Sequence, residues 1–138
     1  MKTRDVMTPA PVSADPTTSL TAAAQLMSRY DCGSIPVLEG DRPVGIVTDR
    51  DIVCRAVAEE RDPSETTVMD VMSQPVVTVS DDDDLDTCCQ TMADRQIRRV
   101  LVVDETGHCA GIIAQADLAP YLRDSSTGHI TRQITSPA

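Results

Sequence analysis

Apolar residues recur at helical spacing in two places along the chain. Leu20, Ala23, Ala24 and Met27 stand at i, i+3, i+4 and i+7, and this predicts a helix with one buried face. Leu85, Cys88, Cys89 and Met92 repeat the pattern 65 residues later. Each helical stretch is preceded by a short extended piece, residues 11–14 and 76–80, and followed by two short apolar runs. The runs are residues 34–38 and 44–47 in the first copy, and 99–103 and 110–113 in the second. Turn-forming segments separate them at residues 39–43 and 104–108. A second helix closes each copy, predicted from about residue 49 to 58 and from about 115 to 122. The order is β-α-β-β-α, twice, an α+β fold made of α/β-type repeats.

The two copies also share identities. Asp5-Val6-Met7 returns as Asp70-Val71-Met72, and at the same offset Val12 meets Val77, Leu20 meets Leu85, Gln25 meets Gln90, Met27 meets Met92 and Val37 meets Val102. One extra residue near Gly107 shifts the offset, after which Gly45 meets Gly111, Ile46 meets Ile112 and Asp51 meets Asp117. The expected division is repeat 1 over 1–58, a polar linker with Pro63 over 59–67, repeat 2 over 68–123, and a loose polar tail over 124–138. About 50 residues without large aromatic side chains bury too little surface to fold alone. The copies are therefore expected to pack sheet to sheet about a pseudo-twofold axis, with related clefts between them.

Composition narrows the function. Acids outnumber bases 22 to 12, for a formal charge of −10, and there are two Tyr and no Phe or Trp. Nucleic-acid binders need basic residues against phosphate and aromatic platforms for bases, so that class is set aside. No apolar run reaches the length of a membrane span, and the start, Met1-Lys2-Thr3-Arg4-Asp5, lacks a signal peptide's apolar stretch. A cytoplasmic location is the expectation, where five cysteines do not read as a disulfide framework.

Thr48-Asp49-Arg50-Asp51 follows an apolar strand and opens a helix. One reading is a capping box, with the Thr48 hydroxyl and the Asp51 carboxylate satisfying each other's backbone. The other is a ligand site: helix N–H groups suit phosphate, Asp51 could accept from both hydroxyls of a ribose, and Thr48 could donate. The second copy reads Ala114-Gln115-Ala116-Asp117, so the hydroxyl is missing and Asp117 is not expected to form half of a capping box. Arg98-Arg99, beside a strand, are either solvated cations or a phosphate clamp, and Arg50 is a further candidate. Cys88 and Cys89 align with Ala23 and Ala24, as small buried residues would, whereas Cys109 beside His108 is the cysteine expected to be exposed. With two His and no Cys-x-x-Cys, neither structural zinc nor a Cys–His nucleophile pair is supported. Asp81–Asp84 are read as a helix-start feature, through N-capping and the helix dipole, rather than as a cation site.

The repeated pattern resembles the cystathionine β-synthase (CBS) domain pair. The residues that carry it are Asp5–Thr8, Leu20–Met27, Gly33–Val37 and Gly45–Ile52 in copy 1, with Asp70–Ser73, Arg98–Asp104 and Gly111–Leu118 in copy 2. The likeness spans residues 3–123 and implies a stand-alone bacterial module that is not catalytic and has no obligatory cofactor. It implies a regulatory ligand, AMP, ADP, ATP or S-adenosylmethionine, with Mg²⁺ as an accompanying ion, bound in the clefts between repeats. It further implies a homodimer and an unidentified protein partner. By the same resemblance, the main cleft uses Thr48, Asp51, Arg50 and Ile46, with Pro75, Val76, Val77, Arg98 and Arg99. The second, weaker cleft uses Asp117 and Ile112, with Pro11, Val12 and Ser34. The competing reading is a structural or dimerisation module with vestigial clefts. A small enzyme is disfavoured because no nucleophile–base pair or paired catalytic carboxylates emerge.

Overall fold

The computed structural model describes residues 1–10, 12–74 and 76–121, which form two compact units. One is Ala10–Val76; the other joins Met1–Pro9 to residues 77–121. The tail over 124–138, like Pro11 and Pro75, lies outside the described residues.

In the first unit, helix α1 (Leu20–Tyr30) starts at Ser19, whose Oγ accepts from the Ala22 N–H at 3.1 Å. It ends where Asp31 turns left-handed at φ 51° and the Cys32 N–H reaches back to the Met27 carbonyl at 3.1 Å. Leu20, Ala23 and Met27 are buried, with Leu26 half-buried beside them. Ala24 is exposed, a correction to the expected stripe, because the buried face turns toward Leu26. Strands β1 (Ser34–Glu39) and β2 (Arg42–Thr48) pair antiparallel, with Ser34 opposite Thr48 and a register shift between Val37 and Leu38. Their turn holds Gly40 at φ 60° and Asp41 at φ 65°, the two positive values of a type I′ hairpin turn. Ala14 adds a parallel bridge to Val37.

Helix α2 (Asp49–Ile52) continues as one π-helical turn, Val53–Val57, in which the Ala58 N–H donates to the Val53 carbonyl at 2.9 Å. A short helix α3 (Val68–Val71) follows residues 59–67, and its Thr67 and Asp70 form a capping box. Val68, Val71 and Met72 join Ile35, Val37, Val47 and Ala56 in the core. Each fully buried Val, Ile or Met side chain among them contributes about 1.5–3 kcal/mol.

The second unit has strand order β3 (Thr78–Ser80), β4 (Arg99–Val103), β5 (Cys109–Ala114), parallel then antiparallel. Helix α4 (Leu85–Arg95) makes the crossover and buries Leu85, Cys88, Cys89, Met92 and Ala93. Residues 115–121 form a 3-10 helix, not an α-helix. Pro120 inside it has no N–H to donate to an i−4 carbonyl. The N-terminal segment lies on the far edge of β5, where Thr8 and Ile112 exchange both backbone hydrogen bonds, at 3.0 and 2.9 Å. Ser73 donates to the Ile46 carbonyl at 2.9 Å in the corresponding place of the first unit. Each compact unit thus contains the Asp-Val-Met segment that precedes the other repeat, so the units are cut at different places from the repeats.

The acidic run also differs from its expected role. Asp84 gives α4 no side-chain cap; instead it pairs with Lys2 at 3.5 Å, and Asp82 pairs with Arg4 at 2.7 Å. Asp83 accepts from the Ser80 N–H at 3.0 Å. Among the described residues, no helix is long and apolar enough to cross a membrane.

Candidate functional site

The strand β2 delivers Thr48 to the N-cap of α2 in extended geometry, φ −117° and ψ 163°. Its Oγ1 accepts from the Asp51 N–H at 3.1 Å, and Asp51 Oδ2 accepts from the Thr48 N–H at 3.0 Å. The capping box is therefore complete. Asp51 is only 8% exposed, and the Ser73 hydroxyl stands 3.4 and 3.5 Å from its two carboxylate oxygens. The acceptor capacity that Oδ1 retains is what a ligand hydroxyl would use. Ser73 carries the repeat motif Asp70–Ser73 but has no site role in the sequence reading. The signal was present, since it ends the second Asp-Val-Met motif, but that motif points to a repeat and not to a contact.

Close backbone packing fixes this corner. A Cβ on Gly45 would stand 2.5 Å from Met72 Sδ, so glycine lets the Met72–Ser73 segment lie against β2. Arg55 Nη1 donates to the carbonyls of Val71 and Met72 at 3.1 and 3.3 Å and ties the same segment to the π turn. Ile46 is half-buried, and Ser34 sits opposite Thr48 in the hairpin register. Arg50 is exposed, with its backbone N–H on Asp49 Oδ1 at 2.8 Å. Val12 packs against the first unit's core and Val76 is half-buried.

The second unit builds the related corner from different side chains. Asp117 Oδ2 accepts from the Ala114 N–H at 2.8 Å. The carboxylate half of a capping box therefore survives without the hydroxyl, which corrects the expectation for Asp117. The back-bond needs only a backbone N–H, which Ala114 supplies as well as threonine. Arg99 lies opposite Ala114 in the β4–β5 register, and the Gln115 N–H donates to the Arg98 carbonyl at 2.8 Å. Arg98, Arg99, Ala114, Gln115 and Ala116 line an open recess of about 230 Å³. Both arginines are exposed, and among the described residues neither guanidinium is ion-paired. Ile112 is half-buried directly opposite Thr8, and Val77 packs against this unit's core. The structure thus groups Ser34, Ile46, Thr48 and Asp51 with Ser73 in one unit, and Arg98, Arg99 and Ile112 with Asp117 in the other.

The cysteines follow burial. Cys88 and Cys89 are buried, and burial pushes the Cys88 thiol up to about 12, so it carries no thiolate at neutral pH. Cys54 is exposed and Cys109 half-buried, the reverse of the sequence expectation. Cys109 lies on β5 rather than in the preceding turn, whereas Cys54 lies on the outer face of the π turn. Among the described residues, no group of three or more His, Cys, Asp and Glu could hold a metal ion.

The family model for the CBS domain matches residues 4–57 and 68–124. The chain belongs to the CBS domain family. A 37%-identical uncharacterized protein of Methanopyrus kandleri matches 86% of this CBS chain, which spans 60% of that relative's length. Hypoxic response protein 1 of Mycobacterium tuberculosis is 32% identical, over 97% of this chain and 94% of its own. Its crystal structure, with two coordinated zinc ions, superposes at a TM-score of 0.77 over 88% of this chain and 99% of that one. A CBS domain protein of Pyrobaculum aerophilum complexed with AMP is 26% identical, at a TM-score of 0.77 over 94% and 96% of the two chains. The paired α+β repeats described above are those of CBS domain pairs.

Proposed function

We propose that this CBS pair is a non-catalytic regulatory module that binds an adenosine nucleotide and signals its occupancy to a protein partner. The observation that carries the reading is the buried Asp51 at a helix start, whose Oδ1 takes only a long 3.4 Å bond from the Ser73 hydroxyl and keeps acceptor capacity for a ligand hydroxyl. Carboxylates suit the cis-diol of ribose because each oxygen accepts a hydroxyl proton. The AMP complex of the P. aerophilum relative supports the ligand class. AMP, ADP, ATP and S-adenosylmethionine are the candidates, with Mg²⁺ accompanying a polyphosphate.

In this reading Thr48 and Asp51 bind the ribose, with Ile46, Pro75 and Val76 about the base and Arg50 at the phosphate. Asp117 and Ile112 make the second site, with Arg98 and Arg99 at its phosphate. The uncompensated guanidinium groups beside Ala114–Ala116 support an anionic group in that neighbourhood. The active species in this reading is a cytoplasmic homodimer. Val53 and Val57, 56% and 59% exposed and four residues apart on the π turn, offer it an apolar face.

The test is a thermal-shift panel of the four compounds, with and without Mg²⁺. A ligand at a hundred times its Kd adds about 2.7 kcal/mol to stability. The melting temperature is expected to rise with AMP and to stop responding in Thr48→Ala/Asp51→Ala. No response to any compound, together with a stable dimer in light scattering, would establish the structural-module reading instead. That alternative draws on one observation: Asp51 is already occupied in the capping box.

A further inference from the structure

The N-terminal segment and its counterpart in the other unit do the same structural task with unequal means. Val68, Val71 and Met72 are buried at 0, 1 and 6% exposure. Met1–Pro9 buries one residue fully, Thr3, whose Oγ1 donates to the Asp83 carbonyl at 2.9 Å. Val6 and Met7 are half-buried against the core, and Met1 is 65% exposed. The remaining hold is polar. The Thr3 and Arg4 N–H groups donate to the Asp83 and Asp81 carbonyls at 2.8 and 3.0 Å, and Leu85 donates to the Met1 carbonyl at 2.9 Å. Two exposed ion pairs, Lys2–Asp84 and Arg4–Asp82, flank these bonds. Thr8 closes on Ile112 at the end.

We propose that Met1–Pro9 is a strap that opens as a unit, separately from the fold beneath it, with ionic strength as its latch. Segments with few buried apolar contacts open at lower free energy than the core they cover. Exposed ion pairs weaken as salt screens them. The acidic run supplies the other half of the latch, because the basic side chains at positions 2 and 4 land on Asp84 and Asp82. Opening bares the outer edge of β5, including the Ile112 N–H and carbonyl, and lifts Met7 from Gly111, where a Cβ would stand 3.1 Å from the Met7 sulfur. An open strand edge presents unpaired backbone N–H and carbonyl groups to solvent. The inference stands independently of the nucleotide reading.

Hydrogen exchange on the full chain at about 50 mM and about 500 mM NaCl tests it. The amides of Thr3, Arg4, Thr8 and Ile112 are expected to exchange at least about tenfold faster than those of Val102 and Ile113. Raising the salt should speed the first group about three- to tenfold and leave the second unchanged. Lys2→Ala/Arg4→Ala should exchange at low salt as the native chain does at high salt. If that variant loses the core as well, Thr3→Val in its place should release the strap without touching the charges. Strap and core amides exchanging in step at both salt concentrations would overturn the proposal. So would a folded double variant with native strap protection, because the ion pairs would then hold nothing.

Discussion

Thr48–Asp51 and Ala114–Asp117 stand at the same place in the two repeats, and they solve the same turn differently. In the first, hydroxyl and carboxylate each satisfy a backbone N–H, and the helix that follows is α and then π. In the second, only the carboxylate bond remains, at 2.8 Å, and the chain runs on as a 3-10 helix that contains Pro120. The carboxylate is therefore enough to turn the chain, while the hydroxyl serves the helix beyond. Charge follows the same division. Ser34 stands opposite Thr48, where the second repeat has Arg99 opposite Ala114. One corner carries Asp49, Arg50 and Asp51 and is rich in hydroxyls; the other adds Arg98 and Arg99 to Asp117 and has no hydroxyl at the N-cap.

The largest effect expected to separate the corners comes from their glycines. A Cβ on Gly45 would meet the buried Met72 sulfur at 2.5 Å, so Gly45→Ala should cost about 1–3 kcal/mol in urea unfolding. Gly111→Ala would meet the Thr8 carbonyl at 2.9 Å, and on the strap proposal that segment gives way. Its loss should be smaller, and should appear as faster exchange at Thr8 and Ile112. Equal losses at the two glycines would show that the two edge segments are equally fixed.

Next come the caps. Thr48→Ala should lower stability by about 1 kcal/mol, and Ala114→Thr should raise it by about 0.5–1 kcal/mol by restoring the missing half-box. If Ala114→Thr gives nothing, Pro120 and not the absent hydroxyl limits that helix.

The smallest effect is with pH. Asp70 is held below the usual carboxylate value by the Thr67 backbone N–H and then its hydroxyl, Asp62 by the Ser64 hydroxyl and backbone, and Asp15 by Thr17 in the same way. In the other unit Asp104 is lowered, chiefly by the Thr106 hydroxyl. A carboxylate depressed in the folded state adds stability above its unfolded pKa, near 3.9, and that is lost as pH falls through the folded value. Stability should be level above about pH 5 and fall below about pH 4. Three of these four groups lie in Ala10–Val76, so acid should loosen amides there first.

Much of this fold is visible in local pattern. The stripes of α1 and α4, the paired apolar runs and the turn at Gly40–Asp41 all carry their structure in neighbouring residues. The helix starts were legible for the same reason, since a capping box spans four positions. What escaped was carried by single distant contacts. Nothing periodic marks Thr8 for Ile112 or Ser73 for Asp51, and the side of α1 that faces the core depends on Leu26, one residue off the regular spacing. The grouping of Arg98 and Arg99 with Ala114 and Gln115 follows from strand register, which residue types alone leave open.

A gene cut within residues 59–67 would separate the sequence repeats cleanly and yet damage both products. The first fragment would carry Met1–Pro9, an edge segment that pairs with Ile112 on the other piece, and would lack Val68, Val71 and Met72 from its own core. The second would begin with those apolar residues and have nothing of its own to cover β5. Each half would hold a part that fits the other, so the pair should behave in complementation as two incomplete pieces that fold fully only when mixed.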